Sequence, residues 1–170
     1  MFKLRQHDRF SSQAAIMTTG PASVSAQTIL VVDDNAIILK TITLKLEGAG
    51  YRVVTAKEGA EAVAAVRKDN PDLILLDVSF PSDPTGVPWD GFRVMQWFRR
   101  LETAQKIPII IITGSDDPKF KERAVTGGAV AFFHKPIDND DLLKVIKTTL
   151  SNVEASASAT LPPETPADQK

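Results

Sequence analysis

Two adjacent carboxylates, Asp33 and Asp34, directly follow the apolar segment ILVV at residues 29–32. At a separation of ~4 Å and an effective dielectric near 20, two such charges repel each other by about 4 kcal/mol. A solvated loop would relieve this repulsion, and a bound cation would make use of it. The pair therefore indicates either a cap for the following helix or half of a metal site, and in isolation it favours the cap.

Three further polar side chains end apolar segments in the same way. Asp77 follows LILL, Thr113 follows IIII, and Lys135 follows AFFH. Taken singly, they are typical of a loop acid, a turn before a glycine and a solvated lysine. In an open parallel sheet, however, the carboxyl ends of the strands form one ligand-binding edge. If these segments are strands, three carboxylates, one hydroxyl and one ammonium meet there.

The segments that must position these groups alternate between two patterns. Short aliphatic runs, several of them continuously apolar, predict strands buried on both faces of a parallel sheet. The segments between them have helical spacing, and this alternation predicts a three-layer α/β/α sandwich with right-handed crossovers. Strands are predicted at 28–32, 52–56, 72–76, 108–113 and 129–133, and helices at 36–46, 59–68, a third around 92–101, 118–126 and 138–153.

Composition limits the class of protein. The 170 residues are 43% hydrophobic and 24% charged, with a net charge of -1, which fits one globular domain with extra length. This charge argues against a nucleic-acid partner, and no apolar run reaches the roughly 18 residues of a membrane span. The chain has no cysteine, which is compatible with the cytoplasm, where we expect the protein to reside.

The ends of the chain differ from its middle. Residues 1–26 are rich in small and polar side chains and predict a flexible arm, within which Met17 is an alternative translation start. Residues 155–170 are small, polar and proline-rich, which predicts a disordered tail. The folded domain is therefore expected at 27–154.

Four motifs together, VVDDN, LLDVSFP, IIIITG and FFHKP, resemble the receiver domain of two-component response regulators. Each motif is weak alone, but all four lie at the predicted strand ends in the family's order. The resemblance covers about residues 28–153. It implies a flavodoxin-like fold with a five-stranded parallel sheet in the order 2-1-3-4-5.

The resemblance also implies a metal site. Asp33, Asp34 and Asp77 would hold Mg²⁺, or Mn²⁺ in its place, together with the backbone carbonyl of Ser79. Mg²⁺ prefers oxygen ligands and usually takes only one or two carboxylates directly. By the family pattern, Asp34 is the expected direct ligand and Asp33 is expected to act through water.

The same resemblance makes Asp77 the phosphoacceptor. Thr113 would hydrogen-bond the phosphoryl oxygens, and Lys135 would pair with them. Phosphoryl transfer needs mainly positioning and charge neutralisation, and a carboxylate nucleophile is already anionic at neutral pH. The donor would be a phosphohistidine on a sensor histidine kinase or phosphotransfer protein, or a small acyl phosphate.

A switch and its tuning positions follow from the resemblance as well. Phe132 matches the aromatic residue that moves inward when Thr113 shifts toward the phosphoryl group. The less favoured alternative is a static core residue, because Phe132 and Phe133 could exchange roles. Gly114 matches a small-residue position beside the phosphoryl group. Ser79 and Ser115 occupy two variable positions that tune phosphoryl lifetime. His134 is more typical of an ordinary strand residue than of a phosphodonor.

The loop at 81–91 departs from the family pattern because SDPTGVPW separates Pro81 from the Asp90-Gly91 pair. Its prolines predict a semi-rigid excursion. It is either a surface elaboration with Trp89 folded onto the third helix or a lip that selects partners. Asp83 could also reach the metal.

The predicted function is that of a single-domain response regulator that acts on an unknown downstream protein through the fourth helix, fifth strand and fifth helix. No output enzyme domain is expected after Glu154, and adaptor, phosphorelay shuttle and phosphate sink stay open. One alternative is a Mg²⁺-dependent aspartyl-phosphate phosphatase. Such enzymes carry a second aspartate two residues after the nucleophile, where this chain has Ser79. Others are an FMN carrier, disfavoured by the charge of DDNAI, and a phosphate-independent receiver-like binding module.

Overall fold

Strands and helices alternate throughout the computed structural model, which describes residues 26–79 and 90–158. The strands form one parallel sheet in the order β2-β1-β3-β4-β5. The predicted α/β class and strand order are therefore confirmed. The strands are β1 (Thr28–Val32), β2 (Arg52–Ala56), β3 (Leu73–Asp77), β4 (Ile109–Thr113) and β5 (Ala131–His134), and the helices are α1 (Ala36–Gly48), α2 (Gly59–Asp69), α3 (Gly91–Arg100), α4 (Pro118–Thr126) and α5 (Asn139–Ser158).

The sheet separates two apolar cores. Every residue of the three central strands β1, β3 and β4 is buried, which explains why these segments are continuously apolar instead of alternating. On one face the strands pack against α1 and α5, through residues such as Leu39, Leu46 and Ile146. On the other they pack against α2, α3 and α4, through residues such as Val66, Phe98 and Ala124. This is the expected three-layer arrangement.

Asn35, and not the acid pair Asp33 and Asp34, caps the start of helix α1. The side-chain oxygen of Asn35 accepts hydrogen bonds from the backbone N–H groups of Ile37 at 2.9 Å and Ile38 at 3.3 Å. Asparagine is among the preferred residues at this position because its side chain satisfies otherwise unpaired N–H groups. The interpretation of Asp33 and Asp34 as the helix cap is therefore wrong, and both carboxylates are available for other contacts.

Several boundaries differ from the prediction. Helix α1 continues through Gly48, and the left-handed conformation is taken up by Gly50, with φ 93°. Strand β5 begins at Ala131, two residues later than predicted, because the N–H of Ala129 still donates to the carbonyl oxygen of Ala124 at the end of α4.

None of the helices in residues 26–79 and 90–158 has the length and apolar character that a membrane span requires.

Helix α5 extends to Ser158, four residues past the expected end of the domain at Glu154. The small serines and alanines of this segment predict a tail. Alanine, however, has the highest helix propensity of all residues. The Ser156 hydroxyl also donates to the carbonyl oxygen of Asn152 at 2.9 Å and so stays on the helix surface.

Gly91 allows α3 to begin directly against the end of β3. A Cβ atom at this position would overlap the backbone oxygen of Asp77 and the Cα of Val78. We predict that Gly91→Ala lowers the free energy of unfolding by about 1–3 kcal/mol, the usual cost of overpacking. Urea unfolding followed by circular dichroism measures the change.

Gly48→Ala is the matched control. A Cβ atom at Gly48 has no atom within 4 Å, and alanine is favoured over glycine in a helix. This variant should be as stable as the unsubstituted protein or slightly more stable. Equal losses in the two variants would contradict the proposed close contact at Gly91.

Candidate functional site

Three carboxylates meet at the carboxyl ends of β1 and β3. Asp33 and Asp77 are buried, with exposed fractions of 2% and 3%, whereas Asp34 is exposed to solvent. One carboxylate oxygen from each residue lies within 4.8 Å of the others. The acids meet because β1 and β3 are neighbours in parallel register, with Val32 opposite Leu76.

Lys135 bridges the two buried acids. Its Nζ atom lies 2.5 Å from Oδ2 of Asp33 and 2.6 Å from Oδ2 of Asp77. Burial lowers the pKa of this ammonium, but the hydrogen bonds to the two carboxylates and their negative charge outweigh burial and hold the pKa above its ordinary value. The site therefore contains a permanently charged cation beside two charges that would otherwise repel each other.

Asp33 is held from a second side. Its Oδ1 atom accepts the backbone N–H of Asn35 at 2.9 Å, and Asn35 in turn caps α1. Burial raises the pKa of the Asp33 carboxyl above its ordinary value, and Asp77 adds to this effect, whereas the bonds from Lys135 and Asn35 oppose it. Burial of the Asp33 charge is thus unfavourable, and a hydrogen bond orients each of its two carboxylate oxygens. Such a combination is typical of a functional group rather than a structural one.

A chain of hydrogen bonds connects Asp77 to the loop after β4. The backbone N–H of Ser79 donates to Oδ1 of Asp77 at 2.7 Å, and the Ser79 hydroxyl lies 2.6 Å from the Thr113 hydroxyl. The backbone N–H of Ser115 donates to the same Thr113 oxygen at 3.1 Å. Ser79 and Ser115, the two predicted tuning positions, and Thr113, the predicted phosphoryl-binding residue, therefore belong to one hydrogen-bond network.

The two phenylalanines of β5 lie on opposite faces of the sheet. Phe132 is half-buried and packs against the core on the α2–α4 side, whereas Phe133 packs against the core on the α1 and α5 side. Thr113 continues the alternation of Ile109 and Ile111, which also belong to the α2–α4 core. Thr113 and Phe132 therefore share a face of the sheet, and Phe133 does not.

Two smaller predictions concern the residues around Thr113. Gly114 is exposed, and a Cβ atom there would have no atom within 4 Å, so the space beside the site is open. His134 ends β5 and lies 3.0 Å from Asp116 through its Nε2 atom. It is thus a strand residue, as expected, but its neighbour is an acid of the β4–α4 loop instead of solvent or a helix.

The donor set of the acidic cluster fits a hard divalent cation. It presents carboxylate oxygens from Asp33, Asp34 and Asp77 on a partly solvated edge, and Mg²⁺ binds a few carboxylates while keeping several waters. Nitrogen and sulfur ligands, which zinc and copper favour, are absent from this cluster. These three residues could therefore hold a metal ion such as Mg²⁺.

The structure brings the predicted site residues together at one edge of the sheet. Two contacts among them were not predicted, namely the double bridge from Lys135 and the hydroxyl pair of Ser79 and Thr113. Strand register alone does not give the second contact, because Asp77 is opposite Ile112 and Thr113 therefore lies opposite Val78, one residue before Ser79. The predictions for Pro81, Asp83 and Trp89 in the long loop lie outside the described residues.

Comparison with known proteins identifies the family. The model of the response regulator receiver domain matches residues 29–147. Protein PilH of Pseudomonas aeruginosa is 32% identical over 123 residues, which cover 72% of this chain and 97% of PilH. The chain therefore belongs to the response regulator receiver domain family.

Solved structures agree with this assignment. A CheY-like receiver domain protein from Methanospirillum hungatei superimposes with a TM-score of 0.69 at 28% identity, covering 78% of this chain and 99% of that one. The receiver domain of sensor histidine kinase PA1611 from Pseudomonas aeruginosa PAO1, solved with a magnesium ion in its active site cleft, has a TM-score of 0.66 at 26% identity over 75% of this chain and 99% of its own. The phosphatase, FMN-carrier and phosphate-independent alternatives are not favoured by these similarities.

Removing the ammonium of Lys135 should destabilise the metal-free protein. In Lys135→Met, Asp33 and Asp77 stay buried without a cation, and breaking a buried pair costs about 3–5 kcal/mol. We expect a loss near 3 kcal/mol, because Asp33 can relieve part of the repulsion by taking up a proton. Urea unfolding in EDTA measures this loss, and millimolar Mg²⁺ should recover more stability in the variant than in the unsubstituted protein.

Lys45→Met is the matched control for charge removal at a lysine. Lys45 pairs with Asp140 at 3.2 Å, but both side chains are exposed, and surface pairs contribute about 0–1 kcal/mol. If the Lys45 and Lys135 variants lose stability equally, the ammonium of Lys135 does not balance the buried acids.

Proposed function

We propose that Asp77 accepts a phosphoryl group in a Mg²⁺-dependent reaction, and that the resulting change in charge switches a protein-interaction surface. The observation that carries this proposal is the buried Asp77 carboxylate, which lies in an acidic cluster and is oriented by Lys135 at 2.6 Å and by the Ser79 N–H at 2.7 Å. Membership of the receiver family supports it. The donor is a phosphohistidine on a sensor histidine kinase or phosphotransfer protein.

The proposed reaction needs no general base on this chain. An oxygen of the Asp77 carboxylate attacks phosphorus, the P–N bond of the donor breaks, and its electron pair returns to the imidazole of the partner. The product is an acyl phosphate on Asp77. Hydrolysis by water later returns the free carboxylate and inorganic phosphate, so the receiver takes part in both its phosphorylation and its dephosphorylation.

Charge neutralisation is the main contribution of the surrounding residues. Asp33, Asp34, Asp77 and the Ser79 backbone carbonyl would hold Mg²⁺. When bound, this ion supplies positive charge to the phosphoryl oxygens. Lys135 supplies a second positive charge, and it is already within hydrogen-bonding distance of Asp77. An anionic donor group can therefore approach an anionic nucleophile.

The proposed switch runs through Thr113 and Phe132. Thr113 hydrogen-bonds the phosphoryl oxygens, and Phe132 is the aromatic residue that responds, because it shares the face of Thr113 whereas Phe133 packs on the other side. The adjacent helix α4 has one fully buried residue, Ala124, and at the protein surface its Phe120 and Arg123 contact α3 and the N-cap of α3. A surface formed by α4, β5 and α5 would thus change and bind a downstream protein.

The phosphoacceptor assignment is tested by incubation with acetyl phosphate and Mg²⁺. Intact mass spectrometry should show one added phosphoryl group on the unsubstituted protein and none on Asp77→Asn, which lacks the nucleophilic charge. Asp116→Asn is the control, because Asp116 is an exposed acid in the β4–α4 loop near the site. Its phosphorylation should be retained.

The assignment would be refuted if Asp77→Asn gains the phosphoryl group as readily as the unsubstituted protein. EDTA should abolish the mass gain in every variant, because the reaction depends on the divalent ion. A mass gain that persists in EDTA would refute the metal requirement alone.

The metal assignment is tested by direct titration. We expect Asp34→Asn to weaken Mg²⁺ binding by about tenfold or more, which corresponds to about 1.4 kcal/mol, since it removes one charged oxygen ligand. Isothermal titration calorimetry or amide chemical shifts of residues after β1 report the affinity. Asp116→Asn again serves as the control of equal charge change, and equal affinities of the two variants would exclude Asp34 as a ligand.

A further inference from the structure

The Ser79 side chain occupies a particular place between the phosphoacceptor and the switch residue. Its backbone N–H is bound to the Asp77 carboxylate at 2.7 Å, and its hydroxyl lies 2.6 Å from that of Thr113. Thr113 is fully buried, so its hydroxyl depends on protein partners instead of bulk water. In the described part of the chain, those partners are the Ser79 hydroxyl and the Ser115 N–H.

The segment after β3 runs beside the end of β4. Asp77 is opposite Ile112, and the N–H of Val78 donates to the carbonyl oxygen of Ile112 at 3.3 Å. Thr113 is therefore level with Val78, and Ser79 follows one residue further on. From this offset position, the Ser79 side chain reaches the hydroxyl that ends β4.

Counting protons restricts what the Thr113 hydroxyl can do. A hydroxyl has one proton to donate and two lone pairs that accept. The Ser115 N–H already uses one lone pair of Thr113. The Thr113 proton is then either donated to Ser79 or, if Ser79 donates instead, free to point into the site.

From this geometry we infer that Ser79 is a positioning residue for Thr113: its hydroxyl holds the Thr113 hydroxyl at the phosphoacceptor and, by acting as donor, leaves the Thr113 proton free for a phosphoryl oxygen. This inference rests on the proposed phosphorylation of Asp77 and deepens it. It assigns to the Ser79 side chain a role separate from that of its backbone carbonyl at the metal.

The link also explains how the signal reaches the β4–α4 loop. When the Thr113 proton turns to the phosphoryl group, the Thr113 oxygen keeps its bonds from Ser79 and from the Ser115 N–H. A shift of Thr113 is therefore transmitted to Ser115, and the Ser115 hydroxyl accepts the N–H of Asp117 at 3.3 Å. Asp117 is the N-cap of α4, so the network ends at the helix that the switch must move.

The first test uses the protein without phosphate or metal. A double-mutant cycle combines Ser79→Ala with Thr113→Val, and urea unfolding gives the folding equilibrium constant of each variant. Ser79→Ala should reduce this constant roughly threefold to tenfold in the unsubstituted background, as expected for one hydrogen bond. In the Thr113→Val background it should have almost no effect, whereas equal effects in both backgrounds would overturn the inference.

The second test follows the amide resonance of Ser115 by NMR and includes Ser79→Thr, which keeps the hydroxyl. After treatment with acetyl phosphate and Mg²⁺, the shift of this resonance is divided by the phosphorylated fraction from intact mass. The normalised shift should fall by half or more in Ser79→Ala and be retained in Ser79→Thr. An undiminished shift in Ser79→Ala would overturn the inference.

The two tests separate this inference from the proposed function. If the unsubstituted protein gains no phosphoryl group, the proposed function fails, and with it the role in the switch. The double-mutant cycle still decides whether the hydroxyls are coupled. If the protein is phosphorylated but the normalised shift is the same in all variants, only the positioning role of Ser79 fails.

Discussion

The organisation of the site depends on one ammonium group held between two buried carboxylates. Asp33 and Asp77 come from adjacent strands, and without a cation their charges would oppose the close approach of β1 and β3 at this end of the sheet. Lys135 contacts both at 2.5–2.6 Å, although it follows β5, which lies two strands from β3 and three strands from β1 in the sheet. The acidic edge can thus exist without a metal ion, and Asp77, the proposed nucleophile, is oriented in advance.

The two buried carboxylates are hydrogen-bonded to residues that lead into neighbouring helices and loops. Asp33 is fixed by Asn35, which begins α1, and Asp77 is fixed by Ser79, which leads to Thr113. A change of charge at the site therefore acts on the start of one helix and on the loop before another. Apolar cores lie on both faces of the sheet. Because close-packed side chains transmit strain, a small displacement of residues at this edge is passed on to neighbouring elements.

Much of the fold could be predicted from the sequence, because its patterns are local. The bounds of β1 and α4 agree with the prediction residue by residue, since apolar runs, prolines and glycines mark them directly. The end of α5 could not be predicted in this way, because Ser and Ala are compatible with both helix and tail. The sequence also could not distinguish a cap from a metal ligand at Asp33, as this required knowing that Asn35 takes the cap. The bridge from Lys135 depends on three strands at once, and no local pattern encodes such a distance.

The contact of Gly91 with the backbone of Asp77 has a consequence for engineering. Ser79 is tied to the Asp77 side chain and Gly91 abuts its main chain, so both ends of the intervening segment are fixed to the same residue. A substitution that shifts the main chain at Asp77 would therefore displace Ser79 and the start of α3 together. Any redesign of this edge of the sheet has to leave that main chain in place.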